Sequence, residues 1–117
     1  MPINYNKFKL YHKDLLVSEV EVQGVKVRVK NHVHNWLNPF KAWNDGTMPI
    51  GVFTRWIEDR VIPRGRVGLE DYLRGIGIPE YNPRLIFNRT HGTMVSDHWW
   101  VKFDGEDDMT YEKARDY

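Results

Sequence analysis

The segment VKVRVK, residues 25–30, constrains the fold more than any other part of this 117-residue chain. Apolar and basic residues alternate strictly through it. A strand sends successive side chains to opposite faces, so Val25, Val27 and Val29 are expected on one face. Lys26, Arg28 and Lys30 then share the other. Such a strand needs a dry layer on one side and water on the other, which is the arrangement of an antiparallel sheet. The preceding residues supply its neighbours. Phe8 and Leu10 alternate with Lys7 and Lys9, while Leu16, Val20 and Val22 sit among polar residues. His12-Lys13-Asp14 and Gln23-Gly24 mark the turns between these runs. Three consecutive short strands over residues 1–30 form a meander.

The middle of the chain changes period. NHVHNWLNPFKAWNDGTMPIG is irregular and punctuated by Asn38-Pro39, Asp45-Gly46 and Pro49-Ile50-Gly51. Trp36, Leu37, Phe40 and Trp43 are spaced to cover the dry face. From Gly51 the spacing of Val52, Phe53, Trp56, Ile57 and Arg60 predicts a helix, which Pro63 stops. Leu69, Tyr72, Leu73 and Ile76 form the stripe of a second short helix, with Gly77 as its C′ residue. A helical pair therefore spans residues 51–76. RLIF is a short apolar segment, His91-Gly92 a turn, and residues 97–103 return as a strand. Residues 104–117 form an acidic tail in which MTYEKARD adds one helical turn. The expected fold is α+β: one small single domain over residues 1–117. Its N-terminal antiparallel sheet, the meander plus the C-terminal strand, is packed by two or three short helices.

Charge divides the chain unevenly. Residues 1–103 carry 15 basic and 10 acidic side chains, whereas residues 104–117 carry 2 and 6, so +5 faces −4. The tail is expected to be solvated, to meet a basic partner or to shield the body's own positive face. The chain contains no cysteine, which removes disulfides and thiolate metal sites and fits a reducing cytoplasm. No apolar run approaches the ~18 residues of a membrane span, so no membrane partner is expected. The N-terminus has no secretory apolar region.

Chemistry-bearing patterns are sparse. The five histidines lack zinc-type spacing; only His32 and His34 would share a strand face. Neither Ser18 nor Ser96 lies in a nucleophile elbow, and no phosphate-binding glycine loop is present. Asp97 and His98 are adjacent, which on a strand sends them apart. No catalytic residue, metal site or cofactor is expected, and the chain is read as non-enzymatic.

Two segments stand out as binding candidates. Between Thr54 and Ile78 lie five arginines (Arg55, Arg60, Arg64, Arg66, Arg74) and four acids (Glu58, Asp59, Glu70, Asp71). A phosphate-binding stripe would carry a large excess of bases. The near-balance instead suits helix capping and ion pairing, or a protein-facing surface. SDHWWVKF places Trp99 and Trp100 on opposite faces of a strand, one for the core and one to be covered or exposed. The partner-binding candidates are Arg60, Arg64, Arg66, Asp97, Trp99 and Trp100. The alternative, nucleic-acid binding, would use Lys26, Arg28, Lys30, Arg64 and Arg66.

The succession LYHKDLLVSEVEV, MPIG, RWIEDRVIPRGRVGLEDYLRGIGI and GTMVSDHWWVKF resembles small bacterial and mobile-element proteins and the N-terminal module of HipA-like proteins. The resemblance rests on Met48 to Gly51, Arg60, Ile62, Pro63, Arg66, Gly68, Leu69, Leu73, Gly92, Asp97 and Trp100. Arg64-Gly65 departs from it, replacing a pair of small residues. The resemblance implies a module without the kinase machinery, which lies downstream in such proteins. It implies a protein-binding regulator, antitoxin-like or kinase-associated, whose partner is a kinase-like toxin. A mobile-element setting implies a second partner class, a host defence protein, as for a phage-encoded anti-CRISPR.

Overall fold

Alternation and turn chemistry together build the sheet. The computed structural model describes residues 2–44 and 46–115. The turn residue Asp45 and the last two tail residues, 116 and 117, therefore lie outside the described residues. The strands are β1 (Asn4–His12), β2 (Leu15–Gln23), β3 (Lys26–Asn31), β4 (Thr47–Pro49) and β5 (Trp99–Asp104). They form one five-stranded sheet in the order β4-β3-β2-β1-β5, with every pair antiparallel. The α+β expectation holds, and β4 is an additional edge strand.

The register explains the dry face. Phe103, Phe8, Val20 and Val29 lie abreast across β5, β1, β2 and β3. Val101, Leu10, Ser18 and Asn31 form the next row, and Val22, Val27 and Met48 a third. Ser18 and Asn31 are polar and buried, so they must bond one another. Ser18 Oγ donates to Asn31 Oδ1 (2.8 Å), and Asn31 Nδ2 donates to the Phe40 carbonyl (3.0 Å). That chain ties the irregular middle segment beneath the sheet.

Two residues depart from the expected alternation. Val25 is 74% exposed because the hairpin turn is Gly24-Val25, with Gly24 at φ 63°, and β3 starts only at Lys26. Leu16 does not share the face of Val20. A bulge shifts the register from Leu10 opposite Ser18 to Tyr11 opposite Leu16, leaving Val17 as the extra residue.

Among the described residues four α-helices pack around this sheet: α1 (Ile50–Asp59), α2 (Leu69–Gly75), α3 (Pro83–Thr90) and α4 (Tyr111–Ala114). Helix α1 buries Phe53 and Ile57. Trp56, half-buried, meets Phe40 at 4.8 Å and Phe87 at 5.5 Å between ring centroids. Phe8 meets Phe87 at 5.7 Å, so strand, helix and loop share one aromatic core. Helix α2 ends in a Schellman arrangement. Gly77, at φ 76°, donates to the Arg74 carbonyl, and Ile78 donates to that of Leu73. The apolar segment RLIF lies in α3. Asn82 caps it by accepting from the Leu85 amide (3.2 Å), and Pro83 fills its first turn.

The tail is not wholly solvated. Helix α4 buries Ala114, and its Tyr111 ring lies 6.4 Å from that of Trp100.

Candidate protein-binding surface

Helix α1 decides where the first arginine of the turn goes. Arg60 follows Phe53 and Ile57 at helical spacing, so it continues the apolar stripe and is only 8% exposed. A charge there must be paired and fully bonded. Arg60 Nη1 donates to Asp97 Oδ2 (2.6 Å) and Nη2 to Asp97 Oδ1 (2.9 Å), a two-pronged pair. Nε and Nη2 both donate to the Gly92 carbonyl (3.0 and 2.6 Å), and Nη2 also reaches the Trp99 carbonyl (3.3 Å). One guanidinium thus fixes the end of α1 to the segment that starts β5. Gly92 is tight: at φ +66° a Cβ would lie 2.7 Å from a Phe87 ring carbon.

The paired tryptophans are both held. Trp99 Nε1 donates to the Leu37 carbonyl (2.9 Å). Trp100 is buried on the other side of the sheet, where Nε1 donates to the Lys13 carbonyl (2.7 Å) and the ring stacks on Tyr11 at 4.9 Å. Asp97 and His98 precede β5, outside the expected strand, and their side chains take different partners. Asp97 faces Arg60, whereas His98 Nδ1 lies 2.6 Å from Tyr111 Oη, to which Arg115 also donates (2.6 Å).

The next arginines have escaped the helix. Helix α1 ends at Asp59, earlier than the expected stop at Pro63, and Arg64 and Arg66 are exposed on either side of Gly65. Arg64 rests over the Tyr81 ring at 4.4 Å, and Tyr81 Oη donates to the Ile62 carbonyl (2.8 Å). Val67 is 96% exposed. Beside this turn runs a groove of about 280 Å³ between the Ile62–Arg66 segment, Tyr72 and the loop Thr93–Val95. Its floor includes Ile62, Ile86 and Met94. Val95, at 98% exposure, stands at its edge. Arg66 and Arg115 also line it. Partial burial raises the Tyr72 hydroxyl pKa above its ordinary value.

The six partner-binding candidates therefore divide. Arg60, Asp97 and Trp99 converge inward, Trp100 is buried on the opposite side of the sheet, and Arg64 and Arg66 reach the surface. Tyr72, Met94, Val95 and Arg115 join Arg66 through folding alone. Their sequence separation hid them, although the apolar Met94-Val95 pair shortly after a glycine turn was a readable signal.

The nucleic-acid candidates divide as well. Arg28 and Lys30 line a groove of about 700 Å³ on the outer face of the sheet, apart from the one that Arg66 lines. Lys26 shares their strand face. Acids interleave with these bases: Lys7, Glu21 and Arg28 lie abreast, as do Lys102, Lys9, Glu19 and Lys30. Asp104 and Asp107 from the acidic tail line the same groove. Glu19 carries its own partner, His32 Nε2 at 2.6 Å, and that bond holds its pKa below the usual value.

The β5 edge offers little to an added strand. The Trp99 amide donates to Asp97 Oδ1 (3.2 Å), that of Val101 to the His91 carbonyl (2.9 Å) and that of Phe103 to Glu106 Oε1 (2.8 Å). His91 Nε2 in turn lies 2.8 Å from Glu106 Oε2. Among the described residues no group of three or more His, Asp or Glu could hold a metal ion, and no helix is long and apolar enough to cross a membrane. No family model, curated protein or solved structure matches this chain.

Proposed function

We propose that this chain is a non-catalytic protein-binding regulatory module that acts in the cytoplasm through its arginine turn. The observation that carries this reading is the contrast within that turn. Arg60 is locked inside, and the corner it locks presents Arg64, Arg66, Val67 and Val95 outward. Exposed apolar side chains beside guanidinium groups on a rigid support suit a protein interface, where arginine and apolar anchors carry much of the binding energy. The resemblance to HipA-like N-terminal modules favours a kinase-like toxin as the partner, with an antitoxin-like or kinase-associated role. Inhibition of a host defence protein, as by an anti-CRISPR, uses the same surface chemistry.

The test is site-specific photo-crosslinking in bacterial cells, with the crosslinker in place of Arg66 and, as a control, in place of Lys30. The expected result is one dominant protein adduct from the first position. Absence of any protein adduct from that position would overturn the reading, and turnover of a small molecule by the purified chain would replace it with an enzymatic one. Nucleic-acid binding through Lys26, Arg28 and Lys30 is the weaker alternative because Glu19 and Glu21 interrupt that face.

A further inference from the structure

Resting on the protein-binding reading, we infer that the groove beside the arginine turn receives a segment of another protein that presents a carboxylate next to an apolar side chain. Size suits a side-chain anchor. About 280 Å³ is below the roughly 300–1,000 Å³ typical of small-molecule pockets, but it accommodates one or two side chains. Chemistry decides the character of the segment. The floor of Ile62, Ile86 and Met94 asks for an apolar anchor. The charged residues of the lining are Arg60, Arg66 and Arg115, with no carboxylate among the described lining residues. Arg60 is already matched by Asp97. Among the described residues neither Arg66 nor Arg115 has a carboxylate in ion-pairing range, so both remain available to an incoming acid. Arg115 already donates to the Asp97 carbonyl (3.0 Å) and to Tyr111 Oη, which holds its head at the rim.

Neighbouring surfaces fit this segment less well. The outer sheet face sets Glu19, Glu21, Asp104 and Asp107 among its bases, whereas the charged described residues lining the groove beside the turn are all cations. A nucleic-acid strand would meet only Arg64, Arg66 and Arg115 here and would leave Val67 and Val95 in water, whereas phosphate-tracking surfaces engage many cations at once.

The experiment uses the full chain, labelled at its methyl groups, and three probes. The first is a fluorescent dodecapeptide library built from Asp, Glu, Leu, Phe and Ser. The second replaces the acids with Lys and Arg, and the third is a twelve-nucleotide oligothymidylate. The acidic library is expected to bind, shifting the Ile62, Ile86 and Met94 methyl resonances. Arg66→Glu and Val95→Asp, both at exposed positions that leave the core untouched, should each weaken that binding by at least about tenfold. The sheet-face variant Lys9→Glu/Lys30→Glu should retain it. Equal binding of the basic library, preferential binding of the oligonucleotide, shifts confined to the sheet face or no binding at all would overturn the inference. So would sedimentation showing that a second copy of the chain fills the groove. A protein crosslinked from Arg66 in cells while no acidic peptide binds would sink the segment chemistry and leave the broader reading standing. Absence of both would remove both.

Discussion

Arg60 and Arg66 sit six residues apart in one arginine-rich stretch, yet they do opposite things. Arg60 continues the buried stripe of α1 and spends its donors on Asp97, Gly92 and Trp99. Arg66 lies well past the end of α1, where the helical phase is lost, and remains at the surface. Residue type does not separate them; phase relative to the helix does. A guanidinium on the apolar face becomes a structural clamp because burying it unpaired would be prohibitive. The same group six residues later, past the end of the helix, is free to meet a partner.

The largest effect should come from breaking the clamp. Arg60→Ala leaves Asp97 partly buried with no cation, which should cost about 3–5 kcal/mol in urea-unfolding measurements. The double variant Arg60→Ala/Asp97→Ala should lose less than the sum of the two single losses, because each single change strands the other partner. Additive losses would mean that the pair is not coupled, and the contrast with Arg66 would dissolve. Next in size is Gly92→Ala. Its Cβ would enter the Phe87 ring space at positive φ, so a loss of roughly 2–3 kcal/mol is expected by the same measurement. An unchanged midpoint would show that the carbonyl Arg60 grips is not held where the fold requires.

Arg66→Glu should behave differently: a stability change within about 0.5 kcal/mol, as for an ordinary surface substitution, with loss of the crosslinked partner. If Arg66→Glu instead destabilised the chain as much as Arg60→Ala, the two arginines would share one structural role.

Much of the sheet was legible because period-2 patterning survives in VKVRVK and KFKL, where one face is dry. It misled where geometry interrupts the period. Val25 belongs to a two-residue turn, and Val17 is an extra residue whose bulge flips Leu16 to the other face. Helix α3 was readable from Asn82-Pro83, an N-cap followed by proline at the first helical position, although its apolar residues are too few for a strong stripe. The site was legible only in part. Arg60 can be placed on the α1 stripe, but its partner Asp97 lies 37 residues away, beyond any local pattern. The groove wall at Met94–Val95 likewise depends on the turn at Gly92.

The smallest effect probes the clamp from behind. His12 meets Trp99 edge-on at 5.0 Å and His98 at 5.8 Å, and Trp99 lies beside Arg60. Partial burial, then the charges of His98 and Lys13, lowers the His12 pKa, with Asp97 opposing. A histidine whose folded pKa is depressed binds fewer protons when folded than when unfolded. Its contribution is therefore fully present above the unfolded value of about 6.5 and is lost as pH falls from there through the folded pKa. Stability measured by urea unfolding should decline over that window in the native sequence. His12→Gln should flatten the decline, whereas Arg66→Glu, at the exposed turn, should leave its slope unchanged. A slope that His12→Gln does not alter would remove His12 from the clamp and place the acid sensitivity elsewhere.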